Sequence, residues 1–147
     1  MAKHSKELHD ELLAILRRYT IEAVTVLVDD ILAAWGWELV RAGKTGDPRQ
    51  AAEIFWLNLP KMNFEGPYQR TSEGPESLNG NESSTLGRQW GARLAQCPFD
   101  EAILTFTDAV VEWLRTCDLR RIMSTDMTEQ QAMLLVCKDW GASLGVN

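Results

Sequence analysis

The side chains of this sequence best placed to do chemistry are carboxylates at helical spacing. Glu22, Asp29 and Asp30 form one set; Glu101, Asp108 and Glu112 form another. Acidic side chains projected inward from neighbouring helices are how di-metal centres are built in bundles. The requirement is that they face the core. At about 100° per residue, Glu22 and Asp29 point about 140–160° away from the apolar stripe Val24, Leu27, Val28, Ile31 and Trp35, and Asp30 points about 120° away. The second set lies about 140–180° from the stripe Ile103, Val110 and Leu114. Both sets read as solvated faces, and no Glu-x-x-His is present to complete a ferritin-type site. A metal would need a dimer that brought Glu22 and Asp29 together across an interface, so no metal is expected.

Other chemical templates fail on a missing partner. His9-Asp10 is a doublet of the kind used by metal-dependent phosphohydrolases, but the only other histidine is His4, so the pair reads as surface residues near a frayed terminus. The absence of any histidine after position 9 removes the proximal ligand that a globin haem requires. Gly43-Lys44-Thr45 resembles the end of a phosphate-binding loop, yet the preceding Gly36 is two residues too far away and the segment follows a helix, not a strand. Serines concentrate where no histidine can activate them, and a cysteine nucleophile would lack a base for the same reason. No catalytic residue and no cofactor is expected.

Composition sets the class. The chain has 147 residues, 45% hydrophobic and 24% charged, with 21 acidic and 15 basic side chains and a net charge of −6. That is an ordinary globular composition at a length suited to one domain, 1–147. The acidic balance gives no general attraction to nucleic acid or anionic membranes. The small basic clusters are Arg17, Arg18 and Arg120, Arg121, which would touch RNA or DNA only if they converged in space. Cys97, Cys117 and Cys137 have neither paired spacing nor an even count and read as reduced thiols. With no apolar signal region near Met1 and no apolar run of roughly 18 residues, the expectation is a soluble, cytoplasmic protein.

The elements that carry these residues are helical throughout. Apolar positions recur at helical spacing from Ser5 to about Val40, with a weak point at Arg17-Arg18-Tyr19-Thr20 where Thr20 can cap a second helix. Asp47-Pro48 predicts a short helix over about 48–59. Residues 63–83 are rich in Gly, Pro, Ser and Asn and predict a flexible loop, the whole connection covering about 60–84. Helices are then expected from Ser84 or Thr85 to about Gln96, from Pro98 through Cys117, and over about 129–143 after the capping box Thr128–Gln131. No segment alternates as a strand does. The expected fold is an all-α single-domain bundle of five to six helices.

Two features point outward. On the wheel centred on Val24, Tyr19, Val26, Ala33, Trp37 and Val40 gather at about 160–220°, a second apolar stripe opposite the first. Either that helix is packed on both sides by its own chain, or the second stripe meets another protein. The short helix carries Ile54-Phe55-Trp56-Leu57, more apolar surface than two to three turns bury easily, and it runs into the loop containing Tyr68. The sequence therefore predicts a non-enzymatic interaction module, an adaptor, assembly factor or subunit that self-associates as a homodimer, with Tyr19, Val26, Trp37, Val40, Phe55, Trp56 and Tyr68 as contact residues. The alternatives are a ligand-binding regulatory domain or carboxylate-dependent enzyme with a pocket lined by Trp35, Trp56, Trp113 or Trp140, and a helical subunit of a nucleoprotein complex using the arginine pairs.

Overall fold

The computed structural model describes residues 6–58 and 76–116. They form five helices: α1 (Lys6–Leu16), α2 (Ile21–Arg41), α3 (Gln50–Asn58), α4 (Gly80–Gln96) and α5 (Phe99–Thr116). The all-α single domain expected from the sequence is what forms, and among the described residues the only β-type pairing is an isolated bridge between Tyr19 and Glu76. The helix expected over 129–143 lies outside the described residues.

The break between α1 and α2 falls at the weak point. Thr20 adopts an extended backbone and its hydroxyl accepts from the Ala23 amide at 3.1 Å, which satisfies one of the helix's otherwise orphaned first-turn donors. The far end of α2 closes through Gly43, at φ 71°. The Lys44 amide donates to the Leu39 carbonyl and the Gly43 amide to the Val40 carbonyl, a Schellman turn that requires the left-handed conformation glycine adopts most readily. Asp47 caps the turn before α3, its side chain accepting from the Arg49 amide at 2.9 Å.

Helix α4 starts earlier than the sequence pattern suggested. A capping box of Asn79 and Glu82, with side-chain to backbone bonds of 2.8 and 3.2 Å, sets the first turn at Gly80, so residues 80–83 belong to the helix and not to the loop. An Asn-x-x-Glu box was readable there, but the surrounding glycines and serines masked it.

Helices α2 and α4 run parallel in intimate contact. Asp30 lies beside Gly87, and Ala34 and Trp35 lie beside Gly91, while Lys44 Nζ donates to the Ala95 carbonyl at 2.9 Å. A Cβ on Gly87 would fall 2.6 Å from the Asp30 Cβ, and one on Gly91 would fall 2.6 Å from the Trp35 amide nitrogen. Ser83, Gly87, Gly91 and Ala95 repeat every fourth residue, and this row of small side chains lets the two backbones approach. Parallel neighbours need a return crossing. Helix α2 is about 30 Å long at 1.5 Å per residue, so residues 42–79 must carry the chain back to its starting end. They arrive there at Glu76, whose amide and carbonyl pair with the Arg18 carbonyl and the Thr20 amide at 3.1 and 2.9 Å. The length of the connection between α3 and α4 thus has a topological cause.

The core gathers round Trp35. Its ring meets Phe99 at 5.7 Å and Phe106 at 5.9 Å, and Phe106 meets Phe55 edge-on at 5.2 Å. These tilted and edge-on arrangements are those aromatic quadrupoles favour. Leu12, Leu16, Leu27, Ile31 and Leu114 complete it, all fully buried. Among the described residues, no helix is long and apolar enough to cross a membrane.

Candidate functional site

The two stripes predicted on α2 have opposite fates. Val24, Leu27, Val28, Ile31 and Trp35 are fully buried, whereas Val26 and Trp37 on the other side are 51% and 53% exposed and Ala33 is exposed between them. Trp37 also borders a cleft of about 290 Å³ between α2 and α4, whose other lining residues are Asp30, Ala33, Ala34, Glu38, Arg41, Ser84 and Arg88. The cleft follows from the close α2–α4 approach: small side chains form part of its lining, and Trp37, Arg41 and Arg88 are its largest members. Its electrostatics are mixed. Asp30 accepts a 2.6 Å hydrogen bond from the Ser83 hydroxyl, and Arg41 pairs with Glu38 one turn earlier.

The other expected contact residues divide. Tyr19 is buried, bridged to Glu76 and flanked by the Arg18 guanidinium 5.5 Å from its ring centre. It precedes the helix, so the helical phase that grouped it with Val26 did not apply to it. Phe55 is also buried, against Phe106, because α3 turns it toward α5, while Leu57 stays 62% exposed. Val40 is half-buried. Tyr68 and the side chain of Trp56 lie outside the described residues. The exposed apolar surface on α2 therefore comes down to Val26, Ala33 and Trp37.

Asp29 and Asp30 are half-buried, not solvated as the wheel suggested, and for Asp30 the cause is α4 packing along that flank. Glu112 reaches His9 while staying partly in water. His9 is itself buried, contrary to the expectation of a surface residue near a frayed end: Nδ1 lies 3.0 Å from Asp10 and Nε2 lies 2.9 Å from Glu112 of α5. The Glu112 contact ties α1 to α5 through a buried side chain. No group of three or more His, Cys, Asp or Glu could hold a metal ion among the described residues.

Arg18 and Arg93 are also engaged, while Arg17 is exposed. Arg18 Nε donates to Glu76 at 3.1 Å, and that hydrogen bond, with the nearby Tyr19 and the Glu76 charge, raises the guanidinium pKa above its ordinary value. Arg93 lies 4.4 Å over the Trp90 ring and pairs with Glu11 of α1 at 2.6 Å. Arg120 and Arg121 fall outside the described residues. Trp35 and Trp113, expected to line a pocket in the ligand reading, are buried, and the space round Trp35 is taken by phenylalanine rings. A second cleft of about 390 Å³ lies at the α1–α2 corner beside Tyr19, Leu78 and Leu86. The Glu82 at its edge is committed to the α4 cap. Cys97 is half-buried and is a free thiol.

Searches for a matching protein family, a matching curated protein and a matching solved structure each found none. The reading of this surface rests on its own chemistry.

Proposed function

We propose that this chain is a non-enzymatic interaction module that binds a protein partner through the outer face of α2. The observation that carries this is Trp37: an indole half in solvent, on the same face as an equally exposed Val26, beside a cleft between two rigidly packed helices. Tryptophan is the side chain most enriched among residues that dominate binding energy, because it removes a large apolar area from water at little conformational cost. Burying an exposed apolar surface returns about 25 cal/mol per Å². The helix beneath is fixed on its inner face by fully buried residues, so little ordering is needed on binding.

The test is a photo-crosslinking amino acid placed at position 37 in cells of the native host, with the same substitution at the exposed Gln89 of α4 as control. A discrete adduct at 37 that is absent at 89, and lost when Val26→Glu is added, is the expected result. No adduct at 37 would overturn the proposal.

A further inference from the structure

We infer that the occupant of this face is a second copy of this chain, packed about a two-fold axis with the two α2 helices antiparallel and each Trp37 level with the other copy's Val26. This rests on the reading above that the face is an interface, and it names the partner.

The first argument is charge. Each copy carries −6, so two copies repel unless they meet where charge is locally balanced. The rim of the Trp37 cleft is such a place: Asp30 and Glu38 are matched by Arg41 and Arg88. A rim of mixed sign gains little against a partner of one sign. It is complementary to itself, which is what an isologous contact requires.

The second argument is polarity along α2. The charged residues of its first half are Glu22, Asp29 and Asp30, all acidic, whereas its last turn carries Glu38 and Arg41, which pair with each other. Parallel pairing would set Glu22 against Glu22 and Arg41 against Arg41. Antiparallel pairing sets the acidic end against the charge-balanced end that carries Arg41, and the helix dipoles then oppose favourably as well.

The third argument is register. With the axis passing between Ile31 and Leu32, residues whose numbers sum to 63 lie level: Val26 with Trp37 (26 + 37) and Glu22 with Arg41 (22 + 41). Both pairs are satisfied by one placement. Ala33, exposed and one and a half positions from the axis, leaves room for the helices to close to the usual 8–10 Å.

The experiment is sedimentation equilibrium with light scattering across a wide concentration range, with circular dichroism to verify that each variant is folded. Wild type should be a dimer, and Trp37→Glu should raise its dissociation constant at least about thirtyfold. Leu104→Glu, at an exposed position on α5 (45%), should leave it unchanged. Glu22→Arg and Arg41→Glu should each weaken the dimer by about three- to tenfold, since the two-fold axis doubles each lost pair, and the double variant should recover most of the loss. A dimer whose double variant is weaker than either single one would overturn the antiparallel register. A wild type that stays monomeric at high concentration overturns the self-pairing; if position 37 still crosslinks to another protein, the interface reading survives, and if it crosslinks to nothing, both fall.

Discussion

Trp35 and Trp37 are two residues apart on one helix and sit in opposite environments. Trp35 is sealed against Phe99 and Phe106, whereas Trp37 is half in water. Two residues turn an α-helix by about 200°, so one indole joins the core and the other is left for something outside. The contrast teaches that composition alone assigns neither role: the same side chain is a packing element or a contact element according to its phase on α2.

The largest expected difference comes from truncating each in turn. Trp35→Ala should cost about 3–5 kcal/mol of unfolding free energy, as large core truncations do, read as the shift in a urea or guanidinium midpoint. Trp37→Ala should change that midpoint by less than about 0.5 kcal/mol at concentrations where the chain is monomeric, while weakening association. Equal stability losses at the two positions would erase the distinction. Trp35→Phe should cost far less than Trp35→Ala. It keeps most of the ring contacts and removes an indole N–H that has no hydrogen-bond partner among the described residues.

The cleft beside Trp37 depends on the glycine row, and this offers a way to separate shape from composition. Gly91→Ala should destabilise by about 1–3 kcal/mol through overpacking against the Trp35 backbone, although alanine is the better helix former by about 1 kcal/mol. It should also loosen the dimer by widening the cleft. If Gly91→Ala stabilised the protein, the α2–α4 approach would be less close than described. Smaller effects belong to the helix ends: Thr20→Ala and Gly43→Ala should each cost about 1 kcal/mol in thermal or denaturant unfolding, leaving association at Trp37 unaltered.

Local features were legible in the sequence, and long-range ones were not. The Thr20 cap, the Asp47-Pro48 start and the inner stripe of α2 are short-range patterns whose physics involves only neighbours on one helix. Gly87 and Gly91 carried no such signal, because a helical glycine reads as a weak point until the partner backbone is known. His9 looked exposed for the same reason: Glu112 is more than a hundred positions away. Tyr19 and Phe55 were expected at an interface and are interior, one because it precedes the helix that phased it, the other because α3 is rotated by contacts with α5. On the surface itself, Val26 and Trp37 were identified, but the cleft beside them was not, since α4 supplies one of its walls.

The parallel pairing of α2 and α4 has a consequence for how the chain acquires its structure. Helical bundles usually fold fast because neighbouring helices meet through short loops, but here the Ser83–Asp30 contact spans 53 positions, and closing so distant a contact slows the search. During synthesis, the flank of α2 around Asp30 and Ala34 emerges well before the glycines that cover it. The N-terminal half then exposes a groove shaped for its own later helix, and refolding rates should respond to changes at Gly87 and Gly91.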